Sequence, residues 1–571
     1  MKERQQGRGR ARLSVLLTLA LAALVAAAFA ATSAVASNGA TKDTIVALEE
    51  SIAPALDYDG PSAADPQSQE IMDNLMDPLI SYPTTLKNGV LVPNYRTPKF
   101  ESRLAQSYTK SGTTFTFKLR KNVKSCAGNM LTADDVIYTF QRAKSVSGAS
   151  PTAWFLGNVG GVLPLDPLVS KDPKAKELQG EVVKVDDYTV RFKQFAPSEL
   201  FPRVLTIFAL YIFDSKVMKE KATAADPWSH KYADTQNLPG FGPYCLKSWS
   251  KGSEMVLTAN PDYYRGVAKY KTITIRKVPS VANRLAALRS GAVDITYPIT
   301  PVVYQDLQKD PNVDVLGWVN NNTVSIGMNY KVAPWNGPGG KFLRQAVAYA
   351  LPYNDIITQD YKGQAKQWYG LVQSIYNGYT PVKTYKTDLA KAKALVAKAG
   401  YPEGKGLDKL AAGLTLYYTA ERSTVLEPVA NRIRTALGQI GIPITLSPIS
   451  ISEMATRELT KYDLPMWIRD QLQPVGPDAA YALLLFWVSK KSGGLLPSPN
   501  QEIPAVDAAF AASQKLTGPA RNKVLANAQR ILMEELPMVP VVEYPTWFAV
   551  RKGIGPIEGR PNNTVTYWNL K

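Results

Sequence analysis

Alternating hydrophobic and polar residues mark several short strands along the chain. In TTFTFKLRKNV, Phe115, Phe117 and Leu119 fall on one face of an extended segment. DDYTVRFKQF has the same two-residue period, and KDTIVALEE and KYKTITIRKVPS also have strand-like composition. These segments predict β-strands, several of them with one buried face.

Helical periodicity appears between these strands. QSQEIMDNLMDPLISYP has apolar residues at helical spacing, and LTADDVIYTFQRA begins with Thr132 as an N-cap and Asp135 at the N3 position. Further amphipathic helices are predicted in VANRLAALRSG, GKFLRQAVAYAL, DLAKAKALVAKAG and STVLEPVANRIRTALGQ. Because strands and helices alternate throughout, the predicted fold class is α/β, rich in parallel sheet.

The N-terminus has the pattern of an export signal. MKERQQGRGRAR is basic, and the apolar segment after it ends at Ala34-Val35-Ala36, the small residues of a signal peptidase site. We predict a signal peptide over residues 1–36 and an exported, soluble mature chain in the periplasm or cell-envelope space. An uncleaved anchor helix is the alternative, because the apolar run is long enough to span a bilayer. The apolar run is not followed by a cysteine, which argues against a lipoprotein anchor.

Length, charge and cysteine content narrow the picture. The 571 residues suffice for about three or four domains, and the formal net charge is +18. Because no dense Lys/Arg block follows the leader, we interpret the charge as a solvated surface and expect no nucleic-acid partner. In an exported protein, the two cysteines predict one disulfide, Cys126–Cys245, with two separate buried thiols as the alternative.

The sequence offers little for catalysis. His230 is the only histidine and lies in a polar loop. A His-dependent hydrolase triad would have to use it, and one histidine with two cysteines cannot readily supply the ligands of a zinc site. In GFGPYCLKSW, Pro243 removes a backbone N–H that a phosphate loop would need. We therefore expect no enzyme, no cofactor and no metal. A secreted hydrolase with two carboxylates across a cleft is the alternative.

The order of the segments resembles the family 5 extracellular solute-binding proteins of ABC importers. The segments that carry the resemblance, from about residue 43 to 550, are IMDNLMDPLISY, SRLAQSYTKSGTTFTFKLRKNVKSCAGNMLTADDVIYTFQRA, GFGPYCLKSWSKGSEMVLTANPDYY, RLAALRSGAVDI, FLRQAVAYAL, DLAKAKALVAKAGY and RILMEELPMVPV. The chain departs from the family pattern at Cys126 and at Cys245. Since both departures introduce a cysteine, they strengthen the disulfide prediction.

This resemblance implies a periplasmic-binding-protein-like fold of type II, with two lobes around a cleft and an extra inserted domain. The expected parts are lobe I, from residues 37–86, 210–278 and 537–571; inserted domain II, residues 87–209; and lobe III, residues 279–536. Hinges are expected near Val278-Pro279-Ser280 and Leu536-Pro537-Met538. The lobes would close around the ligand.

The resemblance also implies a monomeric receptor that binds di- to oligopeptides and delivers them to the transmembrane subunits of an ABC permease. In peptide-binding members, an acidic residue in a W-x-x-D-x-x-x-P segment pairs with the ligand's ammonium group. WIRDQLQP has Trp467, Asp470 and Pro474 at this spacing. Asp470 is thus the predicted ammonium partner, Trp467 a pocket wall, and Asp65 a further cleft-facing residue.

Alternatives remain open for each of these roles. Asp470 is otherwise a surface carboxylate paired with Arg469 or with solvent, and Trp467 is otherwise a core residue. The ligand is otherwise a sugar, an opine or a metal chelate. An envelope chaperone or adhesion protein is a further, different class of function.

Overall fold

The structure is a computed structural model that describes residues 43–59, 65–146, 151–164, 172–382, 385–470 and 474–571. The predicted signal peptide, residues 1–36, lies outside this part of the chain. Among the described helices, none combines the length and the apolar character needed to cross a bilayer.

The described strands are numbered in chain order. They are β1 (Thr44–Glu49), β2 (Ile80–Ser81), β3 (Thr84–Lys87), β4 (Val90–Pro93), β5 (Glu101–Ser102), β6 (Ala105–Ser111), β7 (Thr114–Leu119), β8 (Val182–Asp186), β9 (Thr189–Lys193), β10 (Tyr244–Ser250), β11 (Glu254–Ala259), β12 (Thr272–Lys277), β13 (Ile295–Tyr297), β14 (Val313–Met328), β15 (Lys366–Gln367), β16 (Thr415–Thr419), β17 (Thr445–Ile449), β18 (Met466–Asp470), β19 (Met538–Arg551) and β20 (Ile557–Glu558).

The described α-helices fall between these strands. They are Pro66–Leu75, Ala133–Ser145, Pro151–Trp154, Phe201–Val204, Ser215–Glu220, His230–Thr235, Val281–Arg289, Pro301–Leu307, Gly337–Ala350, Tyr353–Asp355, Leu389–Lys398, Ser423–Gly438, Ile451–Ala455, Ala479–Ala482, Pro504–Ser513 and Gly518–Glu535.

An eleven-stranded sheet runs through the described part of the molecule. Its strand order is β10-β11-β12-β1-β13-β19-β14-β18-β16-β17, and β15 pairs with β19. Parallel pairing within it joins β1 to β12 and β13, and β16 to β17 and β18. The remaining pairs are antiparallel, so the sheet is mixed. The prediction of a sheet rich in parallel strands is wrong. The hairpin β10–β11 at one end and the long pair β14–β19 in the middle are antiparallel.

The two long strands β14 and β19 join the halves of this sheet. They pair from Val313 opposite Arg551 to Gly327 opposite Met538, with a register shift between Val319 and Thr323. β13 and β1 lie on one side of the pair, whereas β18, β16 and β17 lie on the other. The interruption in the ladder therefore marks the change from one half to the other.

A separate four-stranded antiparallel sheet, β6-β7-β9-β8, lies within the predicted inserted domain. Phe115, Phe117 and Leu119 are buried on one face of β7, as the alternation predicts. Helix Ala133–Ser145 packs against this sheet, and its start is fixed locally because Asp135 Oδ2 accepts a hydrogen bond from the Thr132 backbone N–H at 2.8 Å. Both predictions are confirmed.

A disulfide connects this region to the edge of the large sheet. Cys126 and Cys245 are bonded with their Cα atoms 5.6 Å apart, as expected from the sequence. Three residues before Cys245, Gly242 donates its backbone N–H at 3.0 Å to the carbonyl of Leu75, the last residue of helix Pro66–Leu75. A Cβ on Gly242 would lie 2.4 Å from backbone atoms at this helix end. The glycine–proline segment is thus a close backbone contact feeding strand β10.

The single histidine belongs to a buried charge cluster. Arg142 is fully buried and forms ion pairs with Asp57 and Asp59, and His230 Nδ1 lies 2.6 Å from Asp57 Oδ2. Burial alone would raise the pKa of Asp57, but the charges and hydrogen bonds of Arg142 and His230 hold it at about 2. This cluster explains His230 as a structural residue.

Candidate ligand-binding site

Asp470 ends strand β18 beside the crossing strands and is held by two side chains. Arg422 Nε and Nη2 donate to Asp470 Oδ2 at 3.0 and 2.9 Å. The Tyr544 hydroxyl donates to Oδ1 at 2.6 Å. The side chain of Asp470 is 2% exposed and that of Arg422 is 22% exposed. The predicted ammonium partner is therefore already an ion-pair partner within the chain.

The charges of this group are fixed by its surroundings. Burial disfavours the charged form of Arg422, but the Asp470 carboxylate and the Tyr544 hydroxyl raise its pKa above the ordinary value. Burial and the nearby Asp470 charge raise the pKa values of Tyr544 and Tyr361 well above the ordinary range. Both tyrosines are thus neutral hydrogen-bonding groups beside a compensated ion pair.

Aromatic rings line the same region along β19. The rings of Tyr361 and Tyr544 are 5.2 Å apart, those of Tyr544 and Trp547 are 6.3 Å apart, and those of Trp547 and Tyr304 are 5.4 Å apart. This row begins beside Asp470 and ends at Tyr304 in helix Pro301–Leu307, which follows β13 in the chain and packs on β14. Tyr361, Tyr544 and Trp547 are buried and Tyr304 is partly buried, so the row packs largely inside the protein behind Asp470.

Trp467 lies three residues before Asp470 in β18, so strand alternation directs the two side chains to opposite faces. The Trp467 ring is fully buried and packs on Gly327, where a Cβ would lie 2.4 Å from ring carbons. The adjacent Arg469 forms a buried ion pair with Glu458 rather than with Asp470. The structure therefore does not bring Trp467 and Asp470 together, and the role of Trp467 as a pocket wall stays a prediction.

Asp65 has a structural contact at the start of a helix. Its Oδ1 accepts the Ser68 backbone N–H at 2.9 Å, so Asp65 is the N-cap of helix Pro66–Leu75. Residues 60–64, just before it, lie outside the described part of the chain. Its predicted position facing the cleft stays a prediction.

A second charged group joins distant parts of the chain at Asp478. Arg521 Nη2 donates to Oδ1 at 2.7 Å, and Arg203 Nε lies 3.1 Å from Oδ2. The Asn377 amide donates to Oδ2 at 2.7 Å. Burial would raise the pKa of Asp478, but the charges of Arg521 and Arg203 hold it below the ordinary value. Sequence reasoning missed this group, because its members lie in no motif and meet only in the folded chain.

Polar side chains fill the interruption between the two crossing strands. The Asn321 amide donates to the carbonyl oxygens of Pro474 and Pro561, at 3.1 and 2.6 Å. The Asn320 amide donates to the Arg560 carbonyl and the Asn563 side chain. Asn321 thus links the segment after β18 to the C-terminal segment, and both meet at the crossing.

Comparison with known proteins gives a consistent result. Residues 99–494 match the family model described as bacterial extracellular solute-binding proteins, family 5 Middle. The chain is 26% identical over 448 residues to the probable D,D-dipeptide-binding periplasmic protein DdpA of Escherichia coli (strain K12), covering 76% of this chain and 77% of that protein. It is 25% identical over 488 residues to the periplasmic oligopeptide-binding protein OppA of the same strain, covering 81% and 83%.

Solved structures support the fold. The crystal structure of the ABC transporter substrate-binding protein CtaP from Listeria monocytogenes superposes with a TM-score of 0.76 at 21% sequence identity. The superposition covers 93% of this chain and 99% of that one. The expected fold class, a type II binding-protein fold with two lobes and an inserted domain, is confirmed by this likeness.

Proposed function

Because the chain belongs to the bacterial extracellular solute-binding proteins of family 5, we propose that it is an exported receptor that binds peptides and delivers them to the membrane permease of an ABC importer. Two relatives that match over most of the chain are named as binding proteins for D,D-dipeptides and oligopeptides. Members of this family are solute-binding receptors, so the proposal includes no catalytic step. The mature protein acts as a monomer outside the cytoplasmic membrane.

The observation that carries this proposal is the crossing of β14 and β19. Within the described residues, these strands join the two halves of the large sheet, and their ladder is interrupted between Val319 and Thr323. A ladder with missing backbone bonds bends more readily than a continuous one, so this is the natural place for a hinge. Asp470 and Tyr544 lie directly beside it, where closure of the halves would enclose a ligand.

We also propose lobe boundaries that differ from those predicted from the sequence. The sequence places the hinges near Val278-Pro279-Ser280 and Leu536-Pro537-Met538. In the sheet, however, β13 pairs with β1, and the first part of β14 pairs with the last part of β19 on that same side. We therefore place the crossings at residues 320–322 and near Pro545, which assigns residues 279–319 to lobe I.

Peptide recognition is expected to rely on backbone hydrogen bonds in the interlobe cleft. The test is to identify the small molecules that copurify with the mature protein, by mass spectrometry after mild denaturation. Isothermal titration calorimetry then measures the affinity for di- to pentapeptides. We expect bound peptides and dissociation constants in the micromolar range or below. Peptide-free protein that also fails to bind a mixed peptide library would contradict the function.

A further inference from the structure

We propose that Arg422 makes this site select peptides that bring a hydrogen-bond acceptor, either a carbonyl or a carboxylate, to the free N–H groups of Arg422 beside Asp470, and reject peptides that bring a free ammonium group. This inference rests on the proposed peptide-binding function and specifies its ligand class. It reverses the ligand charge that the W-x-x-D-x-x-x-P segment alone predicts.

The first support is that both oxygens of the Asp470 carboxylate already accept hydrogen bonds. Three donors reach its two oxygens, two from the Arg422 guanidinium and one from the Tyr544 hydroxyl. Hydrogen bonds between guanidinium and carboxylate are charge-assisted and among the strongest in proteins. With its side chain 2% exposed, Asp470 has neither an uncompensated charge nor an open face for a second cation.

The second support is the cost of displacing Arg422. A ligand ammonium could reach Asp470 only by breaking the pair, and the guanidinium would then remain a short distance away in a largely buried position. A buried charge deprived of its partner is strongly unfavourable. If the pair stays intact, the Asp470 charge is already compensated by Arg422 and gives the ammonium little attraction. Neither route favours an amine terminus.

The third support is that donors remain for a ligand oxygen. The guanidinium has five N–H groups, and its contacts with Asp470 and Tyr544 use Nε and Nη2. The Arg422 side chain is 22% exposed. Beside it, the buried Tyr361 hydroxyl has no hydrogen-bond partner within the described part of the chain. A carbonyl or carboxylate oxygen can accept from the free guanidinium N–H groups, whereas an ammonium group cannot, because a guanidinium has no acceptor.

The test uses one peptide backbone with three different N-termini. Trialanine, N-acetyl-trialanine and N-succinyl-trialanine present an ammonium, a neutral carbonyl and a carboxylate, and calorimetry measures each with the mature protein. We expect the acetyl and succinyl forms to bind at least tenfold tighter than the amine form. Equal affinities of these two forms would identify the acceptor as a carbonyl, and a tighter succinyl form would identify it as a carboxylate.

Variants separate a specific role of Arg422 from a structural one. Arg422→Met should reverse the order, with the amine form gaining at least tenfold, because Asp470 then lacks a cation. Arg422→Lys keeps the charge and should keep the wild-type order. Arg432 forms a similarly exposed pair with Asp360, so Arg432→Met is the matched control and should leave the order unchanged.

Each result bears on one of the two claims. Tighter binding of the amine form by the wild-type protein, lost in Asp470→Asn, would overturn the role of Arg422 while supporting peptide binding. The same holds if Arg422→Met, folded by circular dichroism, keeps the wild-type order. If none of the three forms nor a mixed library of free and blocked peptides binds any variant, the proposed function itself fails.

Discussion

Arg203 Nε lies 3.1 Å from Asp478 Oδ2 in a buried ion pair between parts of the chain that the sequence assigns to different domains. Asp478 is also bonded to Arg521, which lies in the same predicted lobe as Asp478 itself. One carboxylate therefore serves two arginines, one of which reaches across from the predicted inserted domain. The pair is a direct contact between the two sides of the molecule.

Removing the Asp478 charge should destabilise the protein more than removing either arginine. Asp478→Asn leaves Arg203 and Arg521 buried without their carboxylate, which we expect to lower the free energy of unfolding by about 3–5 kcal/mol. Arg203→Met leaves Asp478 paired with Arg521 and should cost less. Urea denaturation followed by circular dichroism measures Asp478→Asn, Arg203→Met and Arg521→Met.

The two arginines should differ in their effect on shape. Because Arg203 is the one of these two arginines that lies in the predicted inserted domain, Arg203→Met should increase the radius of gyration measured by small-angle X-ray scattering. Arg521→Met is the matched control and should leave it unchanged. An equal radius of gyration for both variants and the wild type would show that the ion pair does not hold the two sides together.

The disulfide should contribute strongly to stability. Cys126 and Cys245 are separated by 119 residues, and closing a loop of about this length in the unfolded chain is worth about 4–5 kcal/mol on the chain-entropy model. We expect the Cys126→Ser/Cys245→Ser protein to lose free energy of unfolding of this order in urea titrations. Added reductant should lower the stability of the wild type and leave the double variant unaffected. A fully reduced wild type with unchanged stability would contradict the prediction.

Local sequence patterns predicted much of the fold because their causes are local. The burial of Phe115 and Phe117 follows from strand alternation. The helix start at Thr132 follows from the capping hydrogen bond between Thr132 and Asp135, three residues later. The disulfide was predictable because two cysteines allow one pairing. The place of the crossing was not, since it depends on pairing between β14 and β19, which are far apart in the sequence.

The candidate site was predicted only in part, for a similar reason. The W-x-x-D spacing identifies Asp470, but Arg422 lies 48 residues earlier and in no motif. The spacing also groups Trp467 with Asp470, although a three-residue offset in a strand directs the side chains to opposite faces. A motif names residue types, whereas the charge of the site depends on side chains that only folding brings together.

Buried acid groups should make stability depend on pH. Glu49, at the end of β1, is hydrogen bonded to Glu70, and the Tyr567 hydroxyl donates to Glu70. Burial raises the pKa of Glu49 to about 8, with Asp65 adding to the shift while Glu70 and Arg284 oppose it. Burial and the neighbouring Glu49 raise the pKa of Glu70 well above the ordinary value.

The sign of the effect follows from the raised pKa. The neutral form stabilises the fold fully below about pH 4.5, and this contribution is lost as the pH rises towards 8. Raising the pH from 5 to 9 should thus lower the free energy of unfolding by a few kcal/mol. Glu49→Gln should flatten this dependence, whereas Glu50→Gln, at an exposed neighbouring carboxylate, should not. Identical pH profiles for both variants would contradict it.

Gly327 should be required for the packing of Trp467. Trp467 stands opposite Gly327 in the β14–β18 ladder, and a Cβ on Gly327 would lie 2.4 Å from the indole ring, far inside van der Waals contact. Gly327→Ala must therefore shift the ring or the strand, and we expect a loss of about 1–3 kcal/mol in the free energy of unfolding. The tryptophan fluorescence spectrum should change with it.

A second glycine provides the control for this change. Gly438 ends helix Ser423–Gly438, and a Cβ there meets no atom within 4 Å in the described structure. Gly438→Ala should be neutral or stabilising by up to about 1 kcal/mol, because alanine favours the helix. If both alanine variants unfold at the same urea concentration as the wild type, then Trp467 adjusts without cost, and the close contact does not fix the ring in the core.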